Sequence, residues 1–411
     1  MTFDDTWAVP RLADKMGADL WLPDETREIR TRARRFADTV LRPVAHALNT
    51  TPERRDGFRH DIFQAIAEAG LYQIPFGSDV GGLGLASPVL ATLTVMEELA
   101  YYSPGIASAM FDGQAILVGK TLDQAGGLAR ERWLPAIVRG EFVAAFATSE
   151  PDASTDLSPA SLRTTAEPVA GGWRVNGHKR WITNSVAAAR VLLLCRTGET
   201  LTTFFVDMTA PGVTVSDPDL KMGNHAQLTA DIRFDDVFVS NEDVVGAVGA
   251  GLKTALGGLA LGRMGIGAAG VGMAQRALDV AAAYTCRRKV YGRPIAAFQH
   301  WQFRFAEHAV GLETARALYQ KAGTTIDRGG ASEPLAAMAK IKGSELAVEV
   351  VRDAIQACGG YGFARELKGG EQLWPLESIY RDAKIGEIYE GANEVQKWVV
   401  ARHLLGRGIT G

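Results

Sequence analysis

Between Gly140 and Pro151 the chain reads GEFVAAFATSEP, and its texture turns over there. Upstream, apolar residues recur at helical spacing. From about Phe142 to Val245 they come instead in short β-branched or aromatic runs, such as ARVLLLCRT, TTFFVDM and ADIRFDDVFVS, separated by turn residues. Many short strands at close spacing predict a sandwich or small barrel. Asn176-Gly177 is the dipeptide expected to turn a hairpin inside this module.

On the upstream side, DETREIRTRARRFADTVLRPV places Ile29, Ala33, Phe36, Ala37, Val40, Leu41 and Val44 on one helical face. Asp24 is the expected cap, and Pro43 should bend or end the helix. DIFQAIAEAG repeats the pattern and stops at Gly70. PVLATLTVMEELAYY and the segment 108–120 read as further helices. Downstream of Gly249 the helical period returns and stays. Ile341, Val348, Val351, Ile355 and Cys358 are expected on one face of a helix ended by Gly359-Gly360. The Gly/Ala-rich stretch from Ala255 to Gly272 should let helices approach closely. Helices, a β module, then a long helical region are the expected order.

Composition narrows the function. The 411 residues carry a formal net charge of -3, against the basic stripe of a nucleic-acid protein. Cys195, Cys286 and Cys358 are far apart and form no CxxC pair, which suggests free thiols in a reducing compartment. No HExxH and no Cys/His cluster points to a metal. MTFDDTWAVPRLADKMG has no apolar core for a secretory signal and too many acids for a transit peptide. The apolar segment from Leu252 to Ala283 is broken by Lys253, Arg263, Arg276 and glycines, so a buried helix is expected rather than a membrane span. The expected setting is the cytoplasm.

Five motifs give this order a more specific meaning: ATSEPDASTD (147–156), GHKRWITNS (177–185), RRKVYGRPIAAFQ (287–299), QACGGYGF (356–363) and RDAKIGEIYEGANEVQ (381–396). Together, in this order, they make the chain resemble the acyl-CoA dehydrogenase family over about Asp24 to Leu405. The resemblance implies an α+β fold: an N-terminal α-helical domain (1–141), a middle β-barrel or sandwich domain (142–248) and a C-terminal four-helix bundle (249–411). It implies FAD as cofactor. Phe146, Thr148 and Ser149 would line the flavin ring, with Trp181, Ile182 and Thr183 as a second flavin strand. An aromatic suits the π-face of an isoalloxazine. Arg288 and Gln299 would reach the FAD of a neighbouring subunit, where an arginine fork can pair with pyrophosphate. Gln356, Gly359 and Gly360 would touch its adenosine-diphosphate half, and Asn393 and Glu394 would touch FAD after the base. Such shared sites imply an oligomer, a homotetramer built as a dimer of dimers.

The implied chemistry is α,β-dehydrogenation of an acyl thioester in fatty-acid or related acyl thioester metabolism. Glu390 in Tyr-Glu-Gly would remove the α-proton as the β-hydrogen leaves as hydride to flavin N5, and electrons would pass to an electron-transfer flavoprotein. Burial would raise the carboxyl pKa toward working pH, and the Glu390 N–H would help stabilise the enolate oxygen. Gly391 would leave room for the thioester, Arg263 would lie near the substrate entrance, and Thr155 would contact thioester or pantetheine. Some relatives carry the base at the position held here by Gly262, which cannot act. Read alone, Glu390 is a surface acid at a helix start, Trp181 is core, Arg288 is a solvated helix face, Gly359-Gly360 is a helix end, and Thr148 and Ser149 are turn residues. Arg263 reads equally as a charge capping a polar pocket. Tyr101, Tyr102, Met110 and Phe111 read either as pocket or as core.

The family's flavin loop usually reads TEPGAGSD. Here Asp152 and Ser154 replace two glycines, Thr155 replaces the serine, and Ala260 stands where an acid often contacts CoA. These departures fall on the carrier side, so an acyl carrier protein competes with CoA as the expected carrier. An oxidase passing electrons to oxygen and a flavin monooxygenase are the alternatives on the same scaffold. A non-catalytic scaffold or nucleic-acid-binding relative is the alternative from another class. No nucleic-acid or membrane partner is expected.

Overall fold

The computed structural model describes residues 9–153, 155–331, 333–368 and 375–410. Helix α1 (Asp24–Phe36) buries Ile29, Ala33 and Phe36, and Ala37 and Leu41 continue the same face. Asp24 does not cap it. Pro23 takes the cap position, and Asp24 lies in the first turn, where an acid favours the helix dipole. Around Pro43 the backbone passes through wide π-type turns (Ala37–Leu41) and a 3₁₀ turn (Arg42–Val44), because proline offers no N–H to a regular helix. Next come α2 (His60–Glu68) and α3 (Pro88–Ala100), then a segment of π-type turns from Ala107 to Lys120, and α4 (Gly127–Arg139). The 107–120 segment was expected as a helix; its wide turns are the unexpected feature.

The middle of the chain forms a sheet ordered β6-β7-β3-β2-β4-β5-β8, with β1 pairing in parallel to β4. Its strands are β1 (Ala144–Ala147), β2 (Thr165–Val169), β3 (Gly172–Thr183), β4 (Arg190–Thr197), β5 (Thr200–Asp207), β6 (Val213–Val215), β7 (Thr229–Ser240) and β8 (Val244–Val245). Val175, Ile182, Val191, Leu193, Phe204, Ile232 and Phe234 fill its core. The expected Asn176-Gly177 hairpin is absent. β3 runs straight through it, and the β2–β3 hairpin turns instead at Gly171, φ 79°. Gly177 marks a bulge where a Cβ would lie 2.5 Å from Thr164 Oγ1. A second irregularity, between Lys179 and Ile182, carries Trp181 in the left-handed region at φ 58°. Bulges re-aim side chains, and this one leaves the Trp181 ring 56% exposed.

Helix α5 (Gly251–Arg287) runs through the C-terminal region beside α6 (Gln299–Asp327) and α7 (Glu333–Cys358), followed by α8 (Leu376–Ala383) and α9 (Asn393–Leu405). Helix α5 is long and apolar enough to cross a membrane, but 72% of its most apolar window is buried against the rest of the protein, as the core helix of a bundle would be. Its small residues act as expected: a Cβ on Gly343 of α7 would stand 2.1 Å from the Gly267 carbonyl oxygen. That close contact also shifts the buried face of α7. Ala347, Val350, Val351, Ala354 and Cys358 are inside, while Ile341, Val348 and Ile355 are half-buried flanks rather than the face itself.

Candidate active site

Glu390 sits in the short connection between α8 and α9, and its backbone is left-handed, φ 52°, followed by Gly391 at φ 92°. A non-glycine residue there costs on the order of 1 kcal/mol or more, and such outliers persist where the surroundings hold them. The surroundings do hold it. Arg263 Nε donates to the Glu390 carbonyl at 3.2 Å, Gln396 Nε2 donates to the Gly391 carbonyl at 3.2 Å, and the Tyr389 hydroxyl meets Ser108 Oγ at 2.9 Å. The result drives the Glu390 side chain inward. Its Oε2 is buried with no hydrogen-bond partner among the described residues.

Space for that carboxyl comes from α5. A Cβ on Gly262 would stand 2.2 Å from Glu390 Oε2. One turn along, a Cβ on Gly265 would stand 3.3 Å from Oδ1 of Asp112. Positions three apart share a helix face, so both acids lie against one strip of α5. Asp112, on the π-type segment, is 1% exposed, and its Oδ1 also lacks a partner. Burial pushes the Asp112 pKa well up, and the neighbouring Glu390 pushes it further. Burial likewise raises Glu390, while Asp112, Arg263 and Lys340 pull it part of the way back. Lys340 is fully buried, donates to Asn393 Oδ1 at 2.8 Å, and is lowered by its burial to about 8.

The other expected residues fall into two groups. At the sheet, Phe146 and Ile182 pack in hydrophobic clusters, and Thr148 and Ser149 follow β1. Thr183 Oγ1 accepts from Gln227 Nε2 at 2.8 Å. Buried Lys179 donates to the Thr148 carbonyl at 3.1 Å and to Glu150 at 2.9 Å, and Arg180 N–H donates to the Ser149 carbonyl, so the loop after β1 is tied to β3. The Arg180 guanidinium lies 5.2 Å from the Trp181 ring. Elsewhere, Arg288, Gln299, Gln356, Gly359, Gly360 and Glu394 are exposed on this single chain. Asn393 is buried against Lys340 and Ser344. Thr155 is exposed on a turn, and Ser154 lies outside the described residues. Tyr101 and Tyr102 are core: their hydroxyls donate to Asp279 and Asp38 at 2.8 and 2.9 Å.

The arrangement is a carboxyl with a buried, unpartnered oxygen in the helical region and an exposed aromatic ring on the sheet, and comparison with known proteins gives it a setting. The family models for the acyl-CoA dehydrogenase N-terminal, middle and C-terminal domains match residues 23–141, 145–237 and 249–405. The mouse short-chain specific acyl-CoA dehydrogenase, mitochondrial, is 33% identical over 93% of this chain and 91% of its own. The chain belongs to the acyl-CoA dehydrogenase family. A 3-(aryl)acrylate reductase of Clostridium sporogenes is 33% identical over 94% of this chain and all of its own. The structure of butyryl-CoA dehydrogenase from Megasphaera elsdenii superposes with a TM-score of 0.87, at 31% identity, covering 93% of this chain and 99% of that one.

As a member of this family the protein is an FAD-dependent oxidoreductase acting on CH–CH bonds. Its surface fits that cofactor. Trp181 offers an exposed ring on β3, the strand to which the Thr148–Ser149 loop is tied, and at Gly359 and Gly360 nothing stands within 4 Å of where a Cβ would be. Sequence reasoning missed Asp112, Lys340 and the Ser108–Tyr389 pair. One signal was available for Asp112: an acid inside the apolar run SAMFDGQAILV, where a charge is rare without a purpose. For Lys340 and Ser108 nothing local distinguishes them from helix-surface residues.

Proposed function

We propose that this acyl-CoA dehydrogenase family member removes the α and β hydrogens of an acyl-CoA thioester, with Glu390 as the base that takes the α-proton onto Oε2. The observation that carries the reading is the Glu390 carboxyl itself: its Oε2 is buried and unpaired among the described residues, it is held by a left-handed backbone, and Gly262 gives it room. A desolvated carboxylate is a stronger base than a hydrated one, and a raised pKa brings it toward working pH. Arg263 fixes the loop through the Glu390 carbonyl, so the carboxyl is aimed before substrate arrives. Gly391 keeps bulk away from the thioester. FAD, when bound, supplies the hydride acceptor. Phe146, Thr148, Ser149, Trp181, Ile182 and Thr183 would hold its ring. Arg288, Gln299, Gln356, Gly359, Gly360, Asn393 and Glu394 would hold the rest across a subunit boundary in a homotetramer, and an electron-transfer flavoprotein would take the electrons. Thr155 would reach the carrier end. The names of the mouse and Megasphaera relatives favour a short acyl chain. Bleaching of the flavin under anaerobic conditions across acyl-CoA and carrier-protein thioesters tests substrate and carrier together. A flavin-loaded Glu390→Gln protein should show no bleaching, and bleaching at the parent rate would overturn the reading.

A second reading has one observation behind it, the name of the acrylate reductase relative. In that direction Glu390 would deliver a proton to Cα of an α,β-unsaturated acyl group. Assaying both directions separates the two readings.

A further inference from the structure

Asp112 and Glu390 reach the same strip of α5 from opposite sides of the sequence. Each has a buried oxygen without a partner among the described residues, and Gly262 and Gly265 clear the space for both. Two carboxylates this close cannot both ionise cheaply out of water, and two bare oxygen acceptors cannot hydrogen-bond; one proton placed between them resolves both problems. We propose that Asp112 is a positioning residue for Glu390, holding the single proton the two carboxyls share, so that Glu390 meets the substrate ionised and hydrogen-bonded. The inference rests on the reading of Glu390 as the base.

The surrounding charges fit one proton, not none and not two. Arg263 on α5 and Lys340 on α7 are the cations near Glu390. Arg263 spends its Nε on the Glu390 carbonyl, and Lys340 spends its Nζ on Asn393 and is itself lowered by burial. Neither donates to Glu390 Oε2. Among the acids, Glu394 and Glu387 bear on Lys340, while Glu333 bears on Arg263. Tyr389, with Asp382 near it, is held neutral by burial and bonded to Ser108. Among the described residues, only Asp112 faces Glu390 as a side-chain donor. During turnover its proton stays on Asp112, while the substrate α-proton moves to Glu390. Both carboxyls then end neutral, and the pair never carries two charges.

Loaded with FAD, the parent, Asp112→Asn, Asp112→Leu and Glu390→Gln proteins are compared in flavin reduction by acyl-CoA from acid to alkaline pH. The parent profile should be a bell whose limbs belong to the pair. Asp112→Asn, which keeps a donor that does not titrate, should keep the acid limb and lose the alkaline one. Asp112→Leu, which removes the donor, should move the acid limb up by about one unit or more. Parent-like limbs in both Asp112 variants would overturn the proposal. Retained activity in Glu390→Gln would instead overturn the base, whatever Asp112 does. A reading without activity guards against a variant that is merely inactive: at neutral pH the unsubstituted holoenzyme should show a deuterium-sensitive infrared carbonyl stretch of a protonated buried carboxyl that is missing from Asp112→Asn, while the stretch of any other raised acid, such as Asp382, is common to both. Finding both ionised would overturn the proposal.

Discussion

Among the described residues, two places take the carboxyl oxygens of a pair of acids out of water, and they treat them in opposite ways. On α3, Glu97 and Glu98 are almost fully buried, yet arginines surround them. Arg30 Nε donates to Glu98 at 2.7 Å, Arg316 donates to Glu97 at 2.9 and 3.1 Å, and Arg11 and Arg34 also reach Glu98. The Tyr319 hydroxyl donates to Glu97. Burial pushes both carboxyls up, but the arginines more than offset it and hold both below the usual range. The cluster ties α1, α3 and α6 together. At Asp112 and Glu390 the same burial meets too few donors, and both carboxyls rise. The first pair is paired structure. The second is left short of partners, which is where reactive groups are found.

Breaking each pair should therefore give different losses. The largest expected effect is on activity: Glu390→Gln, with flavin still bound, should reduce flavin about a thousandfold more slowly while its unfolding midpoint stays near that of the parent. Stopped-flow reduction and chemical denaturation check the two halves. Next comes Glu98→Gln. It removes the buried carboxylate that Arg11, Arg30 and Arg34 share and leaves them their weaker partners Asp38, Asp19 and Asp14, so denaturation should show a loss of about 3 kcal/mol, with the remaining folded protein still able to turn over.

Gly262→Ala sharpens the contrast. The added Cβ meets side-chain ends alone, the Glu390 Oε2 at 2.2 Å and the Leu117 Cδ2 at 3.0 Å. The carboxyl can swing aside, and alanine gains up to about 1 kcal/mol of helix propensity. Stability should hold or rise while turnover falls about a hundredfold. Gly343→Ala should do the reverse, since its Cβ meets the Gly267 carbonyl of the backbone at 2.1 Å and cannot be relieved by a side chain. Thermal melts and turnover of the two variants side by side decide it.

How much of this could be read in the sequence differs between the same two regions. The α+β order was legible, because the change of period at Phe142 and its return after Gly249 are long-range patterns. So was a close helix approach along α5, which is written in glycine and alanine, though not that α7 is the partner. Glu390 was legible only through its motif, since Tyr-Glu-Gly alone describes a surface acid equally well. Asn176-Gly177 misled, because a bulge needs the same close backbone approach that a hairpin turn does. Asp112, Lys340 and the arginine cage around Glu97 and Glu98 were not legible. Each depends on which helix faces press together across 53 residues of chain or more.

The smallest expected effect is on how stability follows pH. Glu97 and Glu98 are lowered, so what they contribute is present above the ordinary carboxylate value of 4.5 and is lost as pH falls through their lower folded values. Asp112 and Glu390 are raised, so the folded protein holds a proton the unfolded chain has released. That favours the fold near the ordinary carboxylate range and is lost as pH rises. Melting temperatures of Asp112→Asn against pH should fall less steeply on the alkaline side than those of the parent, and its acid side should be unchanged.

The most direct measurement follows the α-proton itself. An acyl-CoA analogue with no transferable β-hydrogen is incubated with the FAD-loaded enzyme in deuterium oxide, and deuterium at Cα is read by NMR. The parent should exchange that position and Glu390→Gln should not. Exchange at the parent rate in the glutamine variant would show that another group takes the proton.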